Sequence, residues 1–216
     1  MKHWIIGISA VVCALACAFQ PDRARAQGLE WKPYSLELRS GDKVNAQIGE
    51  LVVPALRNSS GRTMLTIRFV RLPARSGAAG LPIIYLAGGP GSSGIEAARG
   101  DRSRLFDRLR DLGDVILLDQ RGTGLSSPPP ACSASWQFPL EQAATESSIR
   151  PSFEAGLRRC AAEWRAAGIE LEAYNTRDNA ADVADLIHAL GVPKARLVGI
   201  SYGTFLGFAV LRDHAN

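Results

Sequence analysis

Gly199-Ile200-Ser201-Tyr202-Gly203 is the stretch whose reading decides the fold. Ahead of it, Ala195-Arg196-Leu197-Val198 is short and mostly apolar, bounded upstream by Gly191 and Pro193, and reads as a buried strand. After it, Thr204 to Leu211 reads as the apolar start of a buried helix. A G-x-S-x-G between a strand and a helix predicts a nucleophile elbow. The turn is so tight that Ser201 sits in a strained backbone conformation, held up alone above a helix N-terminus. Side chains two positions before and after it would strike the neighbouring strand and helix, which Gly199 and Gly203 avoid. The pattern also arises by chance, so its flanks and the rest of the chain carry the weight.

Two more apolar runs stand upstream. Leu81 to Ala87 ends in Gly88-Gly89-Pro90-Gly91-Ser92-Ser93-Gly94, and Asp114 to Asp119 ends in Gln120-Arg121-Gly122-Thr123-Gly124. With Arg196 to Ile200 they read as strands buried on both faces, as in a parallel sheet. Helical spacing fills the gaps: Ile95 to Leu112, Phe153 to Ala167 with Pro151 near its start, and Arg177 to Leu190, stopped by Gly191 and Pro193. Strands alternating with helices predict an α/β fold, a mostly parallel sheet. Val44 to Pro54 and Thr63 to Leu72 are strand candidates separated by Asn58-Ser59-Ser60-Gly61, an antiparallel hairpin leading in. Gln27 to Ser40 alternates partly and reads as an entry segment, and Ser76 to Gly80 as a loop. Ser126 to Pro139, with three successive prolines and Cys132, reads as a surface loop.

In an open α/β sheet ligands bind at the carboxyl ends of the strands, so the three glycine-bearing loops are expected to meet. There Ser201 supplies the nucleophile and the Tyr202 N–H one oxyanion donor. A second donor comes from the Gly88–Gly91 loop: Gly89 is preferred, with Gly88 as the alternative. That loop lacks a Gly-Lys-Ser/Thr ending and a G-x-G-x-x-G spacing, which argues against phosphate and dinucleotide binding. Asp119 and Arg121 read as structural support, a strand-end turn stiffened by an Asp–Arg contact beneath the donor loop. No cofactor and no metal is called for.

The 216 residues are 46% hydrophobic, enough for one domain with a real core. The formal charge of +4 falls to +2 when residues 1–26 are set aside, so nothing points to nucleic acid or an anionic membrane. Residues 1–26 read as a signal peptide: a polar start, sixteen residues from Trp4 to Phe19 without a formal charge, and Ala24-Arg25-Ala26 as the cleavage site. Sixteen residues fall short of the roughly 20 needed to cross a bilayer, so no stable membrane span is expected, with an uncleaved anchor as the alternative. The protein is expected to be secreted or periplasmic, cut after Ala26, with lipid attachment at Cys17 a minor alternative. Residues 27–216 form the domain. They keep Cys132 and Cys160, an even pair that suggests a disulfide in an exported protein, the alternative being two buried free thiols.

GGPGSSG at 88–94, DQRGTGLSS at 119–127 and GISYGT at 199–204 stand in an order and spacing that resembles the N-terminal part of α/β-hydrolases of the proline iminopeptidase and tripeptidyl aminopeptidase family, serine exopeptidases. The resemblance covers about residues 80–214, and the export signal and cysteine pair are closer to its secreted branch. Ala87 stands where iminopeptidases often carry His. The resemblance implies an exported aminopeptidase acting on a peptide, or on a small acyl substrate as an esterase of the same fold. A catalytically incomplete fragment or binding module is the reading from another class. In this fold the triad order is Ser, Asp, His, and only fifteen residues follow Ser201. His3 lies in the signal, His188 on the helix before the serine strand, and Asp213 and His214 roughly 20 Å along the following helix. The chain is therefore expected to be truncated after the nucleophile helix, without the C-terminal strands and lid, and to lack most triad catalysis by itself.

Overall fold

A computed structural model of the protein describes residues 29–58, 63–75, 80–133, 141 and 143–215. The proposed signal with Cys13 and Cys17, the tip of the first hairpin, most of the 76–80 loop and residues 134–140 of the proline-rich loop lie outside the described residues. The elements in chain order are β1 (Lys32–Glu37), β2 (Lys43–Pro54), β3 (Met64–Leu72), β4 (Ile83–Leu86), α1 (Gly94–Arg99), α2 (Ser103–Leu109), β5 (Val115–Leu118), α3 (Glu146–Ala166), α4 (Thr176–Ala189), β6 (Arg196–Gly199) and α5 (Tyr202–Asp213), with a short 3-10 turn at Leu171–Ala173 before α4.

The six strands form one sheet in the order β1-β2-β3-β5-β4-β6. β1, β2 and β3 run antiparallel to their neighbours, with Pro54 opposite Met64, and β3 pairs antiparallel with β5. β5, β4 and β6 are parallel: Leu86 stands beside Leu118 on one side and Gly199 on the other. Successive strand residues point to opposite faces, so the apolar runs of β4 and β5 serve two cores at once, whereas β6, expected to be buried on both faces, is the last strand of the sheet and only partly buried. Ile84, Leu86, Ile116 and Leu118 pack with Val183, Leu186, Leu206 and Val210 of α4 and α5. Tyr85, Val115 and Leu117 pack with Ile95, Ala98 and Phe106 of α1 and α2 on the other face. Fully burying a side chain such as Phe106 is worth about 1.5–3 kcal/mol, and its ring meets Tyr85 edge-on at 4.7 Å between centroids.

Three helix expectations change: α5, expected to be buried, buries Leu206, Ala209 and Val210 but leaves Phe205, Phe208 and Leu211 exposed. The single helix over 95–112 is two short helices broken at Gly100–Arg102, and of Leu105, Phe106, Leu109 and Leu112 only Phe106 is fully buried. Ile95 and Ala98 on α1 and Phe106 on α2 replace the continuous stripe. The helix expected from Phe153 starts seven residues earlier, at Glu146, because Thr145 and Ser148 form a reciprocal capping box. Pro151 consequently lies inside the helix rather than at its start.

Candidate active site

The chain leaves β4 toward α1 on one face of the sheet and leaves β6 toward α5 on the other. Adjacent strands whose connections diverge open a crevice at their carboxyl ends. The Gly88–Gly91 loop and Ser201 both stand there.

Ser201 has φ 54° and ψ −122°. This matches the first central position of a type II′ turn, which favours glycine, and the turn is closed by the Gly203 N–H donating to the Ile200 carbonyl at 3.0 Å. Holding serine in this region costs on the order of 1–3 kcal/mol, so the surroundings must enforce it. They do so by close approach. A Cβ on Gly199 would overlap the Gly203 carbonyl, and one on Gly203 would overlap the Leu86 carbonyl of β4. The Ile200 N–H donates to that same Leu86 carbonyl at 3.2 Å, and the Thr204 hydroxyl donates to the Gly199 carbonyl at 3.1 Å. Ser201 itself is exposed and precedes Tyr202, the first residue of α5.

Gly88 lies against the serine: a Cβ there would sit 3.1 Å from the Ser201 Cβ. Gly89 adopts φ +107°, and a Cβ on it would crowd the Gly91 nitrogen at 2.8 Å, so only glycine fits. The Gly88 carbonyl accepts from the Ser92 N–H at 3.3 Å. In a trans peptide the N–H points opposite to the C=O, so the Gly89 N–H is turned away from Ser92. The Tyr202 N–H opens α5, where helix N-termini carry unpaired donors.

The expected contact between Asp119 and Arg121 is not formed, and each residue serves a different element. The buried Asp119 carboxylate accepts from the Ser93 hydroxyl at 2.6 Å, the Ile95 N–H at 3.1 Å and the Leu125 N–H at 2.8 Å. It thus ties the end of the donor loop to the start of α1. Arg121, buried as well, forks onto Asp182 of α4 with two contacts of 2.7 Å and donates to the carbonyls of Ala55 and Ala173 at 2.8 and 2.6 Å. Burial pushes the Asp182 carboxyl above the usual carboxylate value, and the hydrogen bonds and charges of Arg121 and Arg57 pull it back. The physical reason for the correction is geometric: successive residues leaving a strand aim in different directions, so Asp119 turns toward α1 while Arg121 turns toward α4. Gln120, between them in sequence, donates to the Ala87 carbonyl at 2.9 Å and accepts from the Asn179 amide at 2.8 Å.

Gln120, Asn179 and Asp182 were not singled out in the sequence. The signal that marks Asp182 is Asp178 and Asp182 four apart on α4, a pair of carboxylates on one helix face that is also apolar at Val183 and Leu186.

A cleft of about 280 Å³ opens beside the loop, lined among others by Gly91, Gln120, Trp164, Tyr174, Asn179 and Tyr202. A larger cavity of about 690 Å³ lies between β1–β2 and α1–α2, and no expected site residue lines it. Cys132 and Cys160 are joined, with Cα atoms 5.3 Å apart, tying the proline-rich loop to α3. Beside that link the Trp164 indole N–H donates to the Pro130 carbonyl at 2.8 Å. His188 is exposed near the C-terminus of α4, before β6 begins. His214 lies beyond the far end of α5, about 18 Å along the axis from its start. Neither is brought to Ser201. Asp213 pairs with Arg212 at 2.6 Å. Among the described residues, no helix is long and apolar enough to cross a membrane and no group of three His, Cys, Asp or Glu is placed to hold a metal ion.

The chain is similar to several known proteins. Serine protease Hip1 of Mycobacterium tuberculosis is 27% identical over 223 residues, covering 97% of this chain and 41% of that protein. The tripeptidyl aminopeptidase of Streptomyces lividans is 30% identical over 132 residues, covering 58% of this chain and 24% of that protein. A solved structure of a probable hydrolytic enzyme from Pseudomonas aeruginosa PAO1 is 21% identical with a TM-score of 0.45, covering 76% of this chain and 36% of that one. The chain thus spans less than half the length of the curated relatives it matches. The family described as alpha/beta hydrolase fold matches residues 82–216, more than half of the chain, and its span takes in all three glycine loops. The protein belongs to the α/β-hydrolase fold family.

Proposed function

We propose that the protein is a serine hydrolase of the aminopeptidase type, exported after cleavage behind Ala26, with residues 27–216 as part of its hydrolase domain. The observation that carries this reading is Ser201 at φ 54°, exposed at the β6–α5 elbow and in contact with the glycine loop of β4. The Ser201 Oγ attacks the scissile carbonyl, and its proton passes to a general base. The oxyanion is met by the Gly89 and Tyr202 N–H groups, in a place where Asp119 ties the donor loop to α1. The amine leaves with the proton, giving an acyl-enzyme, and water then releases the acid by the reverse proton path. Neither His188, near the C-terminus of α4, nor His214, beyond the end of α5, is placed to serve as that base.

The cleft beside Gly91 and Tyr202 is the place for the acyl side of the substrate, its wall held by the Cys132–Cys160 link. The names of the relatives, a serine protease and a tripeptidyl aminopeptidase, favour a peptide over a simple ester. The test is turnover by the whole protein of tripeptide anilides with free and with acetylated N-termini, alongside short-chain esters. Cleavage of the free-amine peptides alone is expected. Cleavage confined to esters would overturn the peptidase assignment.

A further inference from the structure

The donor and acceptor pattern around Gln120 has a direction. The Ala87 carbonyl can only accept, so Gln120 must present its NH2 to it, at 2.9 Å. That leaves the Gln120 Oε1, an acceptor, facing Asn179, which must in turn present its NH2, at 2.8 Å. Asn179 Oδ1 is then left buried without a partner among the described residues. Asn179 is 5% exposed, Gln120 3% and Ala87 1%, so these groups are largely buried, Gln120 and Asn179 at the base of the cleft. A chain of hydrogen bonds that ends on an orphaned acceptor is unfavourable for stability, and such orphans in native proteins call for an explanation. Its benefit lies at the opposite end. Ala87 is the residue before Gly88-Gly89, and pinning its carbonyl fixes the plane of the Ala87–Gly88 peptide. The Ser92-to-Gly88 hydrogen bond fixes the next plane. Together they set where the loop N–H groups point.

We infer that Asn179 and Gln120 are positioning residues: a two-amide relay from α4 that fixes the Ala87–Gly88 peptide, the base from which the next peptide carries the Gly89 N–H toward the oxyanion. This rests on Ser201 being the nucleophile. Asn179 acts through Gln120 and needs no contact with the reacting atoms. Its role is to hold Gln120 in the one amide orientation that donates to Ala87. An isosteric carboxylate at 179 removes the donor, frees Gln120 to flip and turns an acceptor toward the Ala87 carbonyl.

The test uses Asn179→Asp and Asn179→Leu in the whole protein. The readouts are kcat and KM on a free-amine peptide anilide, and inhibition by a peptide boronate, whose tetrahedral adduct carries the oxyanion. Loss of a whole oxyanion donor costs about 10²–10³ in rate, so a misaligned one is expected to cost about 10–100-fold in kcat. KM should stay within about twofold and boronate affinity should fall by the same factor as kcat. A residue serving stability alone would lower the melting temperature and leave the kcat of the folded fraction unchanged. Unchanged kcat and boronate affinity, or a raised KM at constant kcat, overturns the relay. A wild-type protein that the boronate does not inhibit overturns the nucleophile reading instead. If neither variant folds, side-chain amide exchange in the wild type decides: Asn179 and Gln120 amide protons should be protected, and exchange as fast as in a free amide overturns the inference.

Discussion

Replacing Arg121 with Met keeps most of the side-chain volume and removes the guanidinium fork. Arg121 and Asp182 have side chains only 2% and 1% exposed, so the pair sits out of water. Breaking such a pair costs about 3–5 kcal/mol, because the remaining charge stays buried. Here Asp182 keeps Arg57 at 2.5 Å, which lowers the cost, while the carbonyls of Ala55 and Ala173 lose their donor, which adds about 1–3 kcal/mol each if left unpaired. These contributions overlap, so Arg121→Met is expected to destabilise by about 3–5 kcal/mol, readable as a shift in the urea midpoint at constant slope. The pH dependence has a definite sign. Asp182, pushed up by burial, rises further without Arg121, so the folded variant holds its proton above the ordinary value of 3.8. A raised carboxyl supports the fold below that ordinary value and loses this support as pH rises through the folded one. The deficit of the variant should therefore grow from acid to neutral pH. The cycle with Asp182→Leu should show a double mutant less destabilised than the sum of the singles. A loss under about 1 kcal/mol for Arg121→Met, or an additive cycle, refutes the claim that Arg121 holds α4 to the segments at Ala55 and Ala173.

Other consequences are direct. Gly203→Ala puts a Cβ into the Leu86 carbonyl, and the elbow should give way: soluble yield and serine labelling both fall, whereas Gly207→Ala, whose Cβ meets only the Leu86 side chain at an ordinary 3.8 Å, leaves labelling unchanged. Converting both Cys132 and Cys160 to Ser opens a closure of 28 residues, and the chain-entropy account puts the loss at about 3–4 kcal/mol, measurable by thermal unfolding against the oxidised protein. The Glu163 carboxyl accepts from both the hydroxyl and the N–H of Ser133, which holds it below the usual 4.5. Its hold on the loop is present above that value and lost as pH falls through the lowered one, so the side-chain carboxyl signal in an NMR titration should move below 4.5, and a midpoint at or above it refutes the contact.

The sequence was legible where chemistry is written locally. The three apolar runs, their glycine-bearing ends and the elbow at 199–203 each carry strand, turn and helix signals within a few residues, and the structure places them at one edge of the sheet. The antiparallel lead-in followed from alternation in 63–72. What escaped was long-range. Arg121 meets a partner 61 positions away, and Gln120 one 59 positions away, on a helix whose polar residues look like an ordinary solvated face. Proximity in sequence suggested Asp119 as the partner of Arg121, but the strand end aims the two apart. Helix boundaries slipped for a related reason. The capping box at Thr145 lies far from any apolar stripe, and the break at Gly100 is set by packing of α1 and α2 as separate pieces on the sheet.

The central claim is that Ser201 is a nucleophile presented by a strained elbow. A fluorophosphonate probe applied to the whole protein, followed by digestion and mass spectrometry, tests it most directly. The account predicts one phosphonylated residue, Ser201, with labelling abolished by Ser201→Ala and unaffected by Ser92→Ala. Labelling that persists in Ser201→Ala, or a folded wild-type protein that takes up no probe, would contradict it.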